Sequence, residues 1–148
     1  MVCRKMLSGL GLSLAALMLV GCEQMNVDEQ VAALCRQDGG IKVHEKVLLP
    51  REQLSPHGDP KFFKSWNEES GDYLFLAKNE KIKTSSPTID KTTYTIVRES
   101  DGKTLGTYVS YLRRGGDILP RLGPESARAC PQYTSDRLFV RTVFASKD

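Results

Sequence analysis

The sequence is poor in aromatic residues, in histidine and in net charge. Only 7% of its 148 residues are Phe, Trp or Tyr, Trp occurs once, and there are two histidines. With 21 Lys+Arg against 18 Asp+Glu the formal charge is +3, and bases and acids are interspersed from Glu23 to Asp148. A nucleic-acid surface needs a basic excess gathered on one face, so the charge pattern counts against nucleic acid as a partner. The pair Arg113-Arg114 and the stretch from Lys78 to Lys83, which Glu80 interrupts, read as solvated surface. No Gly-rich phosphate loop, HExxH helix or Asp/Asn-rich calcium loop occurs, and no repeat of 20 to 50 residues is visible. Outside one stretch near the start there is no long apolar run, which argues against a polytopic membrane protein. What is present, 40% hydrophobic and 26% charged residues, suits one compact domain and not a disordered chain.

The apolar stretch lies at the start. Met1-Val2-Cys3-Arg4-Lys5 is a short cationic segment, and Met6 to Val20 carries no charge, the pattern of an export leader too short to span a bilayer comfortably. It ends in Leu19-Val20-Gly21-Cys22, which resembles the bacterial lipobox. The resemblance implies cleavage before Cys22, a thioether from its thiol to diacylglycerol, and N-acylation of the new terminus. Several acyl chains make anchoring in the bilayer stable where one does not. In enterobacterial lipoproteins an Asp after the lipidated Cys favours retention in the inner membrane. Glu23-Gln24 therefore implies the outer membrane, with the domain facing the periplasm. Loss of Arg4 and Lys5 with residues 1–21 would leave a charge of +1.

On that reading Cys3 leaves with the leader and Cys22 carries lipid, so Cys35 and Cys130 remain in an oxidising compartment, where a disulfide is expected. Two free thiols or a metal pair are the alternatives. With neither histidine at ligand spacing from a Cys, zinc is disfavoured, and no metal or other cofactor is expected. The run Leu34-Cys35-Arg36-Gln37-Asp38-Gly39-Gly40-Ile41-Lys42-Val43-His44-Glu45, with Ala129-Cys130-Pro131, is similar to small Gram-negative lipoproteins without assigned activity. That similarity implies architecture and location alone.

Residues 22–26 form a short tether, and residues 27–148 a single domain. Asn26 is placed to cap a helix, with Asp28 and Glu29 in its first turn and Val27, Val31, Leu34 and Cys35 on one face; Gly39-Gly40 ends it. Ile41 to Leu49 reads as one strand stopped by Pro50. Residues 51–72 form a long connection, and Tyr73 to Ala77 a strand continuing toward Lys83. Thr92 to Arg98 and Thr104 to Arg113 flank Ser100-Asp101-Gly102, a hairpin signal. Pro124 to Cys130 reads as a helical turn and Arg137 to Phe144 as a last strand. These elements predict an α+β fold: an N-terminal helix packed on a mostly antiparallel sheet of about five strands, stapled by one disulfide.

No residue is assigned a catalytic role. His44 lies in a strand, where a lone His is more often structural. Ser55, His57 and Asp59 have triad residue types, but a triad converges from separated parts of a chain, so this cluster reads as a Pro/Gly turn. Asp38-Gly39-Gly40 reads as helix end and strand entry, not as a metal site. Phe62, Phe63 and Trp66 are the densest aromatic group and the candidate binding residues; either they cap the sheet as core or they anchor a partner at the surface. The expected function is that of a non-enzymatic, membrane-anchored envelope module, bound to the bilayer through Cys22 and to an envelope protein or cell-wall component. The alternative is a small periplasmic hydrolase or ligand-processing enzyme using the 51–72 segment.

Overall fold

A computed structural model describes residues 24–116 and 124–147. The leader, Cys22 and Glu23 lie outside them. The described chain opens in a helix, α1, described over residues 24–38, in which Asn26 is itself helical instead of the cap. Eight strands follow: β1 (Gly40–Val43), β2 (Val47–Leu49), β3 (Glu68–Ser70), β4 (Tyr73–Lys83), β5 (Thr88–Arg98), β6 (Lys103–Arg114), β7 (Ala127–Cys130) and β8 (Phe144–Ser146), with a second helix, α2 (Asp136–Val143), before the last. The main sheet has six strands in the order β1-β6-β5-β4-β3, with β7 also on β6, and all its pairs are antiparallel. A separate parallel pair joins β2 to β8. The fold is mixed α+β and mostly β.

A turn at His44-Glu45 divides the strand expected over 41–49. The N–H groups of His44 and Glu45 both donate to the Leu105 carbonyl, at 2.8 and 3.0 Å. That turn sends residues 47–49 away from β6 and onto the C-terminal β8. Leu105 itself is the extra residue of a bulge, since Ile96 pairs with Gly106 but Val97 pairs with Thr104.

The last two expected elements exchange types. Residues 127–130 are a strand instead of a helical turn, because so short a helix is marginal alone and the Arg114 end of β6 offers it an edge. Residues 136–143 are a helix instead of a strand. Ser135 caps it by accepting the Leu138 N–H at 3.1 Å, and Phe139, Val140 and Val143 fall on one buried face.

The expectation that an N-terminal helix covers the sheet is likewise corrected. The larger core lies under α2, where Phe139, Val140, Val143 and Phe144 meet Phe75, Ile96, Leu105 and Tyr108. Gly106 permits this approach: a Cβ there would sit 3.0 Å from the Phe139 ring, 3.1 Å from Val143 and 3.0 Å from the Lys42 carbonyl oxygen. A smaller cluster on the opposite face joins Val27 and Val31 of α1 to Ile89 and Tyr111, with Cys35 and Cys130 beside it.

The β6 edge is shared. β1 takes Gly106 to Val109 and β7 takes Tyr111 to Arg114. At this junction Cys35 is bridged to Cys130, with 6.0 Å between Cα atoms and a sequence separation of 95. The expected disulfide is therefore present. Gly39 follows the helix so closely that a Cβ would meet the Cys35 carbonyl oxygen and Sγ, both at 2.7 Å.

Arg113 departs most from the expectation of solvated charge. It is 4% exposed. Its guanidinium donates to Asp28 of α1 at 2.8 Å, to the Gly115 carbonyl at 2.6 Å and to the Ser126 hydroxyl at 2.8 Å. One side chain thus fastens α1 to both strands of the β6–β7 pair. Removing one member of so enclosed an ion pair leaves the other poorly solvated. Arg113→Ala should therefore cost about 3 kcal/mol in urea unfolding. Arg113→Lys should rescue little, because a single ammonium cannot serve acceptors in several directions with a planar fork. A loss under about 0.5 kcal/mol, the range of ordinary surface changes, would refute this role.

Candidate functional site

α2 covers only one half of its face of the sheet. Beyond its N-terminus the uncovered half forms a groove of about 370 Å³, floored by Thr92, Tyr94, Tyr108 and Ser110 and walled by Thr134 and Asp136. The strand alternation places these floor residues on one face, since Tyr94 pairs with Tyr108 and Thr92 with Ser110. The two tyrosine rings stack at 5.5 Å and 9°. The Tyr108 hydroxyl donates to the Thr134 carbonyl at 3.1 Å. Burial raises both phenol pKa values above the usual tyrosine range, so both stay neutral donors at physiological pH. Asp136 accepts the Trp66 indole N–H at 2.8 Å, and Arg114 stands exposed at the open end. The groove offers hydroxyls, ring faces and one cation; among the residues named there is no nucleophile bonded to a base.

Phe63 is buried in the larger core, and Phe62 and Trp66 are partly buried and pack against it. Phe63 is 8% exposed. Phe62 packs on Tyr73 at 5.5 Å and Phe144 at 5.3 Å, and Trp66 on Tyr94 at 4.6 Å and on Phe139 in a parallel stack at 6.1 Å. The 51–72 segment holds them there through a 3₁₀ turn (Arg51–Gln53), a bridge between Leu54 and Pro60, and β3. The Ser70 hydroxyl also donates to the Phe62 carbonyl. The core placement explains how a segment rich in Lys, Glu and Pro retains three aromatics: the chain turns twice, so all three rings converge from one side.

A recess of about 500 Å³ beside this segment is lined by Arg51, Ser55, Gly58 and Lys61. The Ser55-His57-Asp59 cluster next to it forms no relay. The Ser55 hydroxyl accepts the Asp59 N–H at 3.1 Å, and the Asp59 carboxylate takes two bonds from Arg141 at 2.9 and 3.1 Å. Those bonds from Arg141 hold the Asp59 pKa below the carboxylate range. His57 is exposed and bonded to neither.

His44 is exposed as well. Its neighbour Glu45 faces away to Arg98 and to Lys103, the latter at 2.5 Å; bonds from Lys103 and then Arg98 lower its pKa. Asp38 accepts from Lys91 and from the Tyr111 hydroxyl, both at 2.6 Å, which lowers its pKa too and ties the end of α1 to the sheet. Among the described residues no group of three or more His, Cys, Asp or Glu side chains is placed to hold a metal ion, and no helix is long and apolar enough to cross a membrane.

The groove was not foreseen from the sequence. Tyr94 and Tyr108 carry a signal, aromatic residues in the two arms of the Asp101-Gly102 hairpin, but their pairing depends on the bulge at Leu105. No protein-family model matches the chain, and no curated protein or solved structure shows significant similarity to it.

Proposed function

We propose that the chain is an envelope lipoprotein: a non-enzymatic interaction domain held at the outer membrane by acylated Cys22 and facing the periplasm. The observation that carries the reading is Leu19-Val20-Gly21-Cys22 after an uncharged apolar stretch. The Cys35–Cys130 bridge supports it, because disulfides persist in oxidising compartments. In this reading α1 is the element that joins the anchor to the sheet, fastened by the disulfide and by the Asp28–Arg113 pair. The domain then stands close to the bilayer, and its partner is an envelope protein or a cell-wall component. The engagement of Asp59 by Arg141 and the exposure of His44 and His57 favour binding over hydrolysis.

The test is acylation in the cell. Wild-type protein should incorporate labelled palmitate and fractionate with the outer membrane. Cys22→Ala should accumulate as a longer precursor without label, since it removes the thiol that the lipid needs. Normal labelling of that variant would refute the reading.

A further inference from the structure

The longest stretch of main-sheet edge without a neighbouring strand belongs to β4. β3 covers only Tyr73 to Phe75, so from Leu76 to Lys81 the outer side of β4 pairs with no strand among the described residues. Alternation decides which main-chain groups point outward. The Ala77 N–H reaches Asn67 Oδ1 on the outer side at 2.8 Å, so Ala77, Asn79 and Lys81 present their main-chain groups there, while Leu76, Lys78 and Glu80 bond toward β5. The side chains of Leu76, Lys78 and Glu80 share the α1 face of the sheet, opposite Thr95, Thr93 and Lys91. Lys91 on this face reaches Asp38 at the end of α1.

The Asn67 carboxamide caps this edge only at Ala77; an edge without a neighbouring strand is a template for another strand, which takes over the Ala77 N–H from Asn67. The sequence Leu76-Ala77-Lys78-Asn79-Glu80-Lys81-Ile82 complements its own antiparallel copy about Asn79. That register sets Asn79 against Asn79, Ala77 against Lys81, Lys78 against Glu80 and Leu76 against Ile82. Outward-pointing residues meet outward-pointing residues, as the hydrogen bonds require. Lys78 and Glu80 fall at the intervening positions, where side chains approach most closely. Within one chain they already lie 3.1 Å apart. In the pair each Lys78 therefore has a Glu80 on either side.

The neighbouring registers fail. Centring on Lys78 or on Glu80 sets like charges against one another, centring on Lys81 separates Lys78 from Glu80, and centring on Ala77 runs the second strand into β3. In the Asn79 register the bulge after Lys81 ends the regular strand just where β3 begins on its neighbour.

We propose that this protein forms a two-fold dimer by antiparallel pairing of β4 with β4 of a second copy, producing one continuous sheet. A two-fold axis through such a pair stands perpendicular to the sheet, so both α1 helices lie on one face. The dimer does not depend on the lipoprotein reading, but its geometry suits two anchors entering one bilayer.

Cysteine crosslinking of the full chain, extracted in non-ionic detergent, tests the arrangement. Asn79 faces itself across the axis at a Cα separation of about 5.5 Å, within disulfide reach. Asn79→Cys should yield a dimer band on non-reducing gels under mild oxidation, whereas Glu52→Cys, exposed on the 3₁₀ turn, should not. In the Asn79→Cys background, Lys78→Glu or Glu80→Lys alone sets like charges opposite one another and should lower the dimer yield roughly tenfold. The two together restore opposite charges and should restore the yield. All of these positions are at least partly exposed, and a retained Cys35–Cys130 bridge checks folding. Equal yields at positions 79 and 52, no dimer at 79, or no rescue by the double reversal would overturn the proposal.

Discussion

Replacing Cys35 and Cys130 together by alanine should lower the stability of the domain by about 4–5 kcal/mol, the chain-entropy cost of releasing a loop of this length. A natural domain has about 5–15 kcal/mol in total, so the variant should stand near its unfolding threshold. The loss should begin at α1. Its smaller core holds only Val27 and Val31 of the helix against Ile89 and Tyr111 as buried residues, and without the bridge the helix depends on these contacts and on polar ties such as Asp28–Arg113, Asp38–Lys91 and Tyr111–Asp38. Amide hydrogen exchange across residues 28–38 should accelerate before the β5–β6 amides change, and the urea midpoint should fall. A drop below about 1 kcal/mol would show that α1 docks without its covalent link.

Trp66→Ala should cost about 3 kcal/mol, the lower end of the range for deleting a large core aromatic, because the ring is partly buried against the core, with a fall in Tm on the order of 10 °C. The ring contacts Phe63, Phe75, Tyr94 and Phe139, and its N–H holds Asp136 in the first turn of α2. Removal opens a cavity where the 51–72 segment, the sheet and α2 meet. Trp66→Phe keeps much of the packing and loses the hydrogen bond, so its cost should be about 1–2 kcal/mol. An unchanged melting curve for Trp66→Ala would return this residue to the surface role.

Elements with a local cause were legible in the sequence. The Asp101-Gly102 hairpin rests on a turn that few residues can make, and Gly102 has φ +68° there. The α1 face rests on the spacing of Val27, Val31 and Cys35. The C-terminal elements were misread because their cause is distant. Arg137 to Phe144 is rich in residues that suit strands, and only the concave sheet waiting for Phe139 and Val143, together with the Ser135 cap, selects a helix. Arg113 looked like half of a solvated pair because its acceptors come from residues 28, 115 and 126.

The groove was hidden by a single residue. Counting outward from the hairpin turn, where Arg98 pairs with Lys103, sets Tyr94 opposite Thr107. The bulge at Leu105 shifts the register by one, brings Tyr108 opposite Tyr94 and puts its ring on the same α2 face as that of Tyr94. Alternation reveals the two faces of each strand, but not where a bulge exchanges them.

The disulfide also determines how the molecule carries mechanical load. Tension between the end of the chain that precedes α1 and the end that follows β8 runs along α1 to Cys35, crosses the sulfur atoms to Cys130, and continues into residues 131–147. The intervening loop, which contains β1 through β6, lies off that covalent path and cannot be extended by it. Under force, therefore, α2 and β8 would peel away first, stripping Phe139, Val140, Val143 and Phe144 from the larger core, while the hairpins β4–β5 and β5–β6 would bear no direct pull.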